Sequence, residues 1–178
     1  LFAINPKHES VHGVACYKSV EDVPQRLDLV VIAVRAEKAP AIMDSCGRAG
    51  VKAAILLSAG FSEAGPRGAL LERQVIDAAH RHRIRLLGPN CLGIMRPQLG
   101  VNATFAHASA IKGSIGLISQ SGALCAAILD WAKPNNVGFS SVVSMGSSSD
   151  IDFGEVLEYM ISDPRTESIF LYVEGIRD

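Results

Sequence analysis

A buried parallel strand is predicted by one run of apolar residues, Leu29-Val30-Val31-Ile32-Ala33-Val34. A run without polar alternation is typical of a strand that is covered on both faces of its sheet. A predicted helix over Glu37 to Ala49 follows and is ended by Gly50, and Val51 to Ser58 is a second apolar strand. This alternation predicts right-handed βαβ crossovers, and therefore an α/β fold with a Rossmann-like parallel sheet.

The pattern extends in both directions from this run. Leu1 to Ile4 is a short apolar strand that ends at Asn5-Pro6, because proline lacks an N–H group and fixes its φ angle. On the other side, Pro66 to Arg83 predicts an amphipathic helix and Ile84 to Leu87 a further strand. The stretch from 88 to 112 is rich in glycine, proline and asparagine without a sustained period, so it predicts connecting structure.

A second α/β unit is predicted after this connection. Its strands and helices alternate at a spacing like that of the first unit. The predicted boundary gives two domains, residues 1–111 and residues 112–178. The predicted elements of the second unit are strands Ile115 to Ser119, Phe139 to Ser144 and Ser168 to Val173, and helices Gly122 to Ala132 and Phe153 to Ile161.

Composition excludes several classes of function. Lys and Arg total 17 against 18 Asp and Glu, so the chain has no broad positive field that would bind nucleic acid or an anionic membrane. The apolar runs are much shorter than the roughly 20 residues of a membrane-spanning helix. The four cysteines are scattered without a CxxC pair, which argues against a zinc site or a disulfide framework and predicts a cytoplasmic protein.

The clearest candidate for a binding site is the segment Ser119-Gln120-Ser121-Gly122. It directly follows a predicted buried strand and directly precedes an apolar helix. The N–H groups of a first helical turn, the positive end of the helix dipole and two hydroxyls together favour a bound phosphate. The alternative is an ordinary N-cap, because serine is favoured at that position whether or not an anion binds.

Other polar residues also follow predicted strands, where ligands collect in open parallel sheets. Lys7 offers a cation to a phosphate but equally suits a solvated turn, and Gly60 permits close approach of a ligand but is also common in turns. Glu174 ends the last predicted strand, either as an orienting carboxylate or as a solvated side chain. His8 and His12 lack an acidic partner pattern such as HExxH, so no metal site is predicted.

Three motifs in one order resemble a known family. They are Gly88-Pro89-Asn90-Cys91-Leu92-Gly93, Asn102-Ala103-Thr104-Phe105 and Ser119-Gln120-Ser121-Gly122-Ala123-Leu124. Over essentially its whole length the chain resembles the NDP-forming acyl-CoA synthetases, relatives of the succinyl-CoA synthetase alpha subunit. The family includes bacterial protein lysine acetyltransferases with the same synthetase-like region. Further matching segments are Asn5-Pro6-Lys7, Ser58-Ala59-Gly60-Phe61, Asp150-Ile151-Asp152, Asp163-Pro164-Arg165-Thr166 and Leu171-Tyr172-Val173-Glu174.

The resemblance implies a Rossmann-like CoA-binding domain followed by a flavodoxin-like domain that handles a phosphate carried on a histidine. The implied reaction is acid + CoA + ATP to acyl-CoA + ADP + phosphate, in either direction. ATP or ADP and Mg²⁺ would be held by an ATP-grasp domain or subunit outside this chain, and the full protein would be an oligomer. By motif, the CoA site would be lined by Lys7, Val34, Arg35, Ser58, Gly60, Phe61, Asn90 and Cys91. The phosphate site would be formed by Ser119, Gln120, Ser121 and Gly122, with Glu174 as the catalytic carboxylate that steadies the phosphohistidine.

Both ends of the chain depart from the family pattern. The family's first strand and glycine-rich loop belong before Leu1 and its phosphorylated histidine after Asp178, so we expect no synthetase activity from residues 1–178 alone. Gly146-Ser147 stands where relatives often have Gly-Asn. Two alternatives stay open: the acyl-CoA-sensing region of a lysine acetyltransferase, and a non-enzymatic CoA-binding regulatory module. A dinucleotide-dependent oxidoreductase is disfavoured, because no GxGxxG motif followed by an acidic residue is present.

Overall fold

The computed structural model describes residues 1–175, which form three β-sheets and four α-helices. The predicted order of helices and parallel strands is confirmed, although most strands are shorter than predicted. The elements of the first unit are β1 (Ala3–Ile4), β2 (Ser10–Val11), β3 (Val14–Tyr17), β4 (Leu29–Ile32), α1 (Ala39–Arg48), β5 (Ala53–Leu56), α2 (Pro66–His82) and β6 (Arg85–Leu87).

The first parallel sheet has the order β4-β5-β6. Its register pairs Ile32 with Leu56 and Ile55 with Leu87, so the carboxyl ends of the three strands lie at one edge. Helices α1 and α2 pack against each other and bury the apolar side chains of one face in a continuous core. The largest fully buried side chains of this core are those of Met43, Leu56, Phe61, Ile84 and Leu86.

Helix α2 approaches the loop after β5 unusually closely. The helix begins at Pro66, directly after Gly65, whose φ of +98° favours glycine. Gly68 lies in the first turn, where an added Cβ would stand 1.8 Å from the carbonyl oxygen of Phe61. Only a residue without a side chain therefore allows the helix to pack against this backbone.

The chain opens on a strand, as predicted, but that strand does not join the β4-β5-β6 sheet. It pairs in parallel with β3, which pairs in antiparallel with β2, in a separate sheet of order β1-β3-β2. The turn between β2 and β3 consists of His12 and Gly13, both with positive φ, as in a type I′ hairpin. Strands β2 and β3 were not predicted, because each lacks a sustained apolar pattern.

The sheet of the second unit has the order β11-β9-β10-β7-β8 and contains both parallel and antiparallel pairs. The predicted second βαβαβ unit is confirmed as β9-α3-β10-α4-β11, whose three strands are parallel. Across the described ranges, none of the helices is both long enough and apolar enough to span a lipid bilayer. The elements after β6 are β7 (Gly93–Arg96), β8 (Val101–Thr104), β9 (Lys112–Ser119), α3 (Gly122–Ala132), β10 (Phe139–Ser144), α4 (Phe153–Ser162) and β11 (Ser168–Tyr172).

The prediction of irregular connecting structure from 88 to 112 was wrong, because β7 and β8 form a hairpin there. Gly93 pairs with Thr104 and Arg96 with Val101, and β7 also pairs in antiparallel with β10. Each strand has only four residues, so its sequence shows little periodicity, and a strand distant in sequence completes the pairing. The hairpin belongs to the sheet of the second unit, while the division into domains at residues 111 and 112 stays a prediction.

A buried carboxylate ties this hairpin to the loop between α4 and β11. Asp163 accepts hydrogen bonds from Arg96 Nη2 at 2.7 Å and from Arg165 Nε at 2.9 Å. The bond from Arg165 lowers the pKa of Asp163, which keeps this carboxylate charged between its two guanidinium partners. The ring centroid of Tyr159 lies 5.2 Å from Arg96 Cζ and adds a cation–π contact.

Direct contacts join the two parallel units. Arg85 pairs with Asp150 at 3.2 Å and with Glu155 at 2.8 Å. The Leu86 N–H group donates to Asp150 Oδ2 at 2.7 Å, and the Ile151 N–H group donates to the Leu86 carbonyl oxygen at 3.2 Å. A shared apolar core lies beneath these contacts and includes Ile55, Leu87, Val143, Val156 and Met160.

Candidate functional site

A cleft of about 630 Å³ lies where loops from both units meet. Its walls are loops that follow strands β5, β6, β8, β9, β10 and β11, together with the first turn of α3. This is the edge at which open parallel sheets bind their ligands. The lining residues are Leu57, Glu63, Asn90, Cys91, Leu92, Phe105, Gln120, Ser121, Gly122, Ala123, Ala126, Gly146, Ser147 and Glu174.

The structure brings only part of the predicted site together in this cleft. Six residues that were predicted from the sequence line it, namely Asn90, Cys91, Gln120, Ser121, Gly122 and Glu174. The other predicted site residues lie outside this lining, namely Lys7, Val34, Arg35, Ser58, Gly60, Phe61 and Ser119.

The side chain of Gln120 fixes the position of Glu174. The Gln120 N–H group continues the pairing of β9 with β11 by donating to the Tyr172 carbonyl oxygen at 3.0 Å. Its side-chain Oε1 accepts from the N–H groups of Glu174 at 2.8 Å and Gly175 at 3.1 Å. Gln120 therefore uses its carbonyl oxygen to hold the end of β11, and the Glu174 side chain stands exposed beside the start of α3.

Helix α3 begins at the cleft, and Ser121 is its N-cap. Ser121 Oγ accepts from the Leu124 N–H group at 3.3 Å, so this hydroxyl has the capping role that was the alternative to phosphate binding. Ser119 is fully buried and its Oγ donates to the Ser121 carbonyl oxygen at 2.8 Å, so its hydroxyl shapes the turn away from the cleft. The first N–H groups of a helix, here those of Gly122 and Ala123, have no carbonyl partner within it and suit an anion.

The loop after β6 is held from two sides. The Asn90 N–H group donates to the Ser58 carbonyl oxygen at 2.9 Å, and the Ser147 N–H group donates to the Pro89 carbonyl oxygen at 2.9 Å. Gly146 has a φ of +58°, and an added Cβ there would stand 2.2 Å from the Pro89 carbonyl oxygen. The loops after β5, β6 and β10 are therefore interlocked through their backbones.

The thiol of Cys91 lies in this interlocked region and is almost fully buried. Its Sγ donates to the Leu56 carbonyl oxygen at 3.5 Å. Burial raises the pKa of Cys91 to about 12, because a thiolate would lose its solvation there. Since the thiolate is the reactive form, Cys91 contributes packing and backbone position to the cleft, and no nucleophile.

Alkylation of the folded protein by iodoacetamide at pH 8 is expected to distinguish Cys91 from Cys16. Cys16 is partly exposed, whereas Cys46, Cys91 and Cys125 are buried. We expect Cys91 to react at least roughly 100-fold more slowly than Cys16, because both its access and its thiolate fraction are reduced. Mass spectrometry of tryptic peptides over time measures both rates. Equal rates would show that the Cys91 thiol opens to the cleft.

The loops that carry the remaining predicted CoA residues lie at the carboxyl ends of β1, β4 and β5. Val34 is half-buried, whereas Arg35 and Lys7 are exposed. Gly60 has a φ of +103°, and an added Cβ would stand 3.2 Å from the Cβ of Ala36. The loops after β4 and β5 therefore touch, and Arg35 is an exposed cation on the first of them.

The ring of Phe61 does not face solvent, and its part in the CoA site stays a prediction. Its ring is fully buried in the core of the first unit, because a large apolar side chain at this point packs under α2. Only its backbone remains near the surface, and there the N–H groups of Gly60 and Phe61 donate to Glu63 Oε1 at 2.5 Å and 3.2 Å. Glu63 thus fixes the turn of this loop, and the half-buried Ser58 anchors Asn90 through its carbonyl oxygen.

Several lining residues were not predicted from the sequence. Glu63 follows Gly60 by three positions in a loop that was predicted to bind a ligand. Phe105 is 63% exposed and ends one of the family motifs. Glu63 and Glu174 are the charged groups of the lining, and within residues 1–175 no lysine or arginine belongs to it. An anion in this cleft would therefore be held by backbone N–H groups and the helix dipole.

Comparison with known protein families shows to which family the chain belongs. Residues 1–97 match the family model described as a CoA binding domain, and residues 112–178 match the succinyl-CoA ligase like flavodoxin domain. The chain belongs to the CoA-binding domain family, and it continues into a segment of the succinyl-CoA ligase type. This result confirms the fold class and the family resemblance that the sequence motifs predicted.

The individual proteins that the chain resembles include several acetate–CoA ligases. The ADP-forming acetate–CoA ligase I of Archaeoglobus fulgidus is 44% identical over 178 residues, which cover 100% of this chain and 26% of that protein. The ADP-forming acetate–CoA ligase of Methanocaldococcus jannaschii is 46% identical over 178 residues, or 100% of this chain and 25% of that protein. The chain thus spans about a quarter of the length of these relatives. The alpha subunit of acetate–CoA ligase II from Pyrococcus furiosus is 39% identical, over 100% of this chain and 39% of that subunit.

A solved structure has the same fold. It is the dinucleotide forming acetyl-coenzyme A synthetase 1 of Ca. Korarchaeum cryptofilum, in complex with phosphate and ADP. The TM-score is 0.93 at 39% sequence identity, and the match covers 99% of this chain and 38% of that one. The same synthetase without ligands also has a TM-score of 0.93.

Proposed function

We propose that this chain is the CoA-binding and phosphate-binding part of an ADP-forming acid–CoA ligase. The reaction is acid + CoA + ATP to acyl-CoA + ADP + phosphate, in either direction. One observation carries the proposal: the N-terminus of α3, the Asn90–Cys91 loop and Glu174 line a single cleft. This arrangement supports a site in which the end of CoA and a phosphate would share one space, as transfer between an acyl phosphate and a thiol requires.

The residues of the first unit fit CoA. Lys7 and Arg35 are exposed cations that suit its phosphates, and the backbone at Gly60 is free of a side chain at a point of close approach. CoA would supply the thiol that accepts the acyl group. Asn90 and Cys91 would place the end of the CoA chain in the cleft, where the α3 start lies across from them.

The start of α3 fits phosphate. The N–H groups of Gly122 and Ala123 provide donors at the positive end of the helix dipole. Glu174, held by Gln120, would orient a histidine that carries phosphate on a part of the protein outside residues 1–178. Stabilisation of a transferring phosphoryl group by fixed dipoles is the contribution that such sites make to catalysis.

In this proposal, nucleotide and metal binding belong to parts of the ligase outside this chain. ATP or ADP and Mg²⁺ would be held by an ATP-grasp domain or subunit, and the full protein would be an oligomer. A cytoplasmic location is part of the proposal and is supported by the scattered cysteines, which the structure leaves as free thiols. The relatives described above are ligases, so an acyl-CoA-sensing or purely regulatory role is not favoured.

Replacing Gly122 with valine is expected to slow acyl-CoA formation by the full-length protein strongly. An added Cβ at this position meets Leu92 N at 3.7 Å and Ser144 Oγ at 3.8 Å, which are ordinary contacts, so the backbone here can accept a Cβ. The two extra methyl groups would obstruct the helix start, and loss of the anion contacts predicts at least about a 100-fold lower kcat/KM. Acyl-CoA and ADP are measured with acetate, CoA, ATP and Mg²⁺.

Gly122→Ala is the matched control, because its single methyl group keeps ordinary contacts and should leave activity within about threefold. Circular dichroism checks that both variants are folded. If wild-type protein formed no acyl-CoA from any short-chain acid, the ligase proposal would fail. If Gly122→Val were as active as wild type, the ligase could stand, but its phosphate would bind elsewhere.

A further inference from the structure

A buried carboxylate outside the cleft contacts both units. Glu72 lies on α2 and has only 5% of its surface exposed. Its Oε2 accepts from the Ser62 N–H group at 2.9 Å, and its Oε1 accepts from Ser149 Oγ at 2.5 Å. Ser62 belongs to the first unit and Ser149 to the second, so one side chain bridges elements that are 87 positions apart in sequence.

The two contacted segments form two of the walls of the cleft. We name residues 58–63 the CoA loop and residues 146–151 the phosphate-side loop. The CoA loop supplies Glu63 to the cleft lining, and the phosphate-side loop supplies Gly146 and Ser147. Because the two oxygens of one carboxyl group hold both loops, neither can shift at this point without losing a hydrogen bond.

We propose that Glu72 is a positioning residue that couples the CoA loop to the phosphate-side loop. This inference rests on the proposed function for the names of the two ligands, while the coupling itself is a property of the fold. A buried carboxylate that does not reach the cleft costs solvation free energy, which its hydrogen bonds must offset. Since the sites for the two ligands must stay in register for transfer between them, a rigid link between the loops serves the reaction.

Backbone hydrogen bonds also connect the phosphate-side loop to a third loop, in addition to its contact with the Glu72 side chain. The N–H groups of Ser147 and Ser149 donate to the carbonyl oxygens of Pro89 and Gly88 at 2.9 Å and 3.2 Å. These bonds fix the phosphate-side loop to the loop after β6. Glu72 adds the connection from the phosphate-side loop to the CoA loop, and so closes a ring of three loops around the cleft.

The first test is hydrogen–deuterium exchange on the full-length protein without ligands, with Glu72→Ala compared with wild type. We expect exchange at least about tenfold faster in peptides covering both named loops, because each loses its bond to the carboxylate. Arg73→Ala, an exposed neighbour on the same helix, is the matched control and should leave both loops unchanged. If only the CoA loop responds, or neither loop does, the coupling does not exist, whatever reaction the protein performs.

The second test separates positioning from general stability. Glu72→Ala is expected to raise the KM values for CoA and for phosphate by about tenfold each, whereas a loss of folded protein would lower only the apparent kcat. Glu72→Gln should recover most of both, because its amide can accept from Ser62 N–H and donate to Ser149 Oγ. In a double-mutant cycle, Ser149→Ala should add little to Glu72→Ala. Additive effects, or unchanged KM values in Glu72→Ala, would refute the coupling, and inactive wild-type protein would instead refute the proposed ligase.

Discussion

Gly146→Ala is expected to lower the free energy of unfolding by about 3 kcal/mol, from roughly 1 kcal/mol of backbone strain and about 2 kcal/mol of overpacking. Gly146 has a φ of +58°, and its added Cβ would stand 2.2 Å from the Pro89 carbonyl oxygen and 2.5 Å from that of Asn90. Both neighbours are backbone atoms, so they can yield only if the interlocked loops separate. We therefore expect CoA-dependent activity to fall by at least about tenfold as well, because the cleft loses its shape.

Gly100→Ala is the matched control for this change. Gly100 has a φ of +68°, close to that of Gly146, but no atom lies within 4 Å of its added Cβ. It should therefore lose only the strain contribution of about 1 kcal/mol and keep its activity. Urea unfolding followed by circular dichroism measures both variants. Equal losses in the two would mean that the clash with the loop after β6 contributes nothing.

Gly68→Ala is expected to destabilise the protein by about 2 to 3 kcal/mol, although alanine is favoured over glycine in helices by about 1 kcal/mol. The sign reverses because the added Cβ would stand 1.8 Å from the carbonyl oxygen of Phe61, 2.6 Å from its carbon and 3.0 Å from the carbonyl oxygen of Gly60. The CoA loop must move away from α2, so the dissociation constant for CoA should rise by at least about tenfold.

Calorimetry with CoA and thermal unfolding test the Gly68→Ala prediction together. Gln74→Ala lies on the exposed face of the same helix and should change neither quantity. A stabilised Gly68→Ala variant with normal CoA affinity would show that helix propensity dominates, and that the loop accommodates the methyl group without cost.

The sequence predicted the elements whose pattern is local. The run 29–34 predicted a parallel strand, and the alternation of strands and helices that follows it predicted both βαβ units. The hairpin of β7 and β8 was not predicted, because its pairing partner β10 is distant in sequence, with Val142 opposite Met95, and short strands carry little pattern. Register and sheet order depend on such distant partners, and one sequence does not contain them.

The candidate site divides in the same way. Ser121 was correctly recognised as the start of a helix, and the structure gives its hydroxyl to the cap. Glu72 was not recognised, although it falls on the stripe of Gly68, Val75 and Ala79, which is the buried face of α2. A carboxylate on an amphipathic helix is normally solvated, and its partner Ser149 becomes a neighbour only through the fold.

The charge of the cleft lining bears on how an anion reaches it. The lining carries the carboxylates of Glu63 and Glu174. Within the part of the chain described, any positive electrostatic potential in the lining comes from backbone N–H dipoles. Dipoles act over a short range, whereas acceleration of diffusional encounter requires a net field that extends beyond about 10 Å. The lining itself therefore does not steer anions toward the cleft. Selection among anions would therefore depend on direct hydrogen bonds to the first N–H groups of α3.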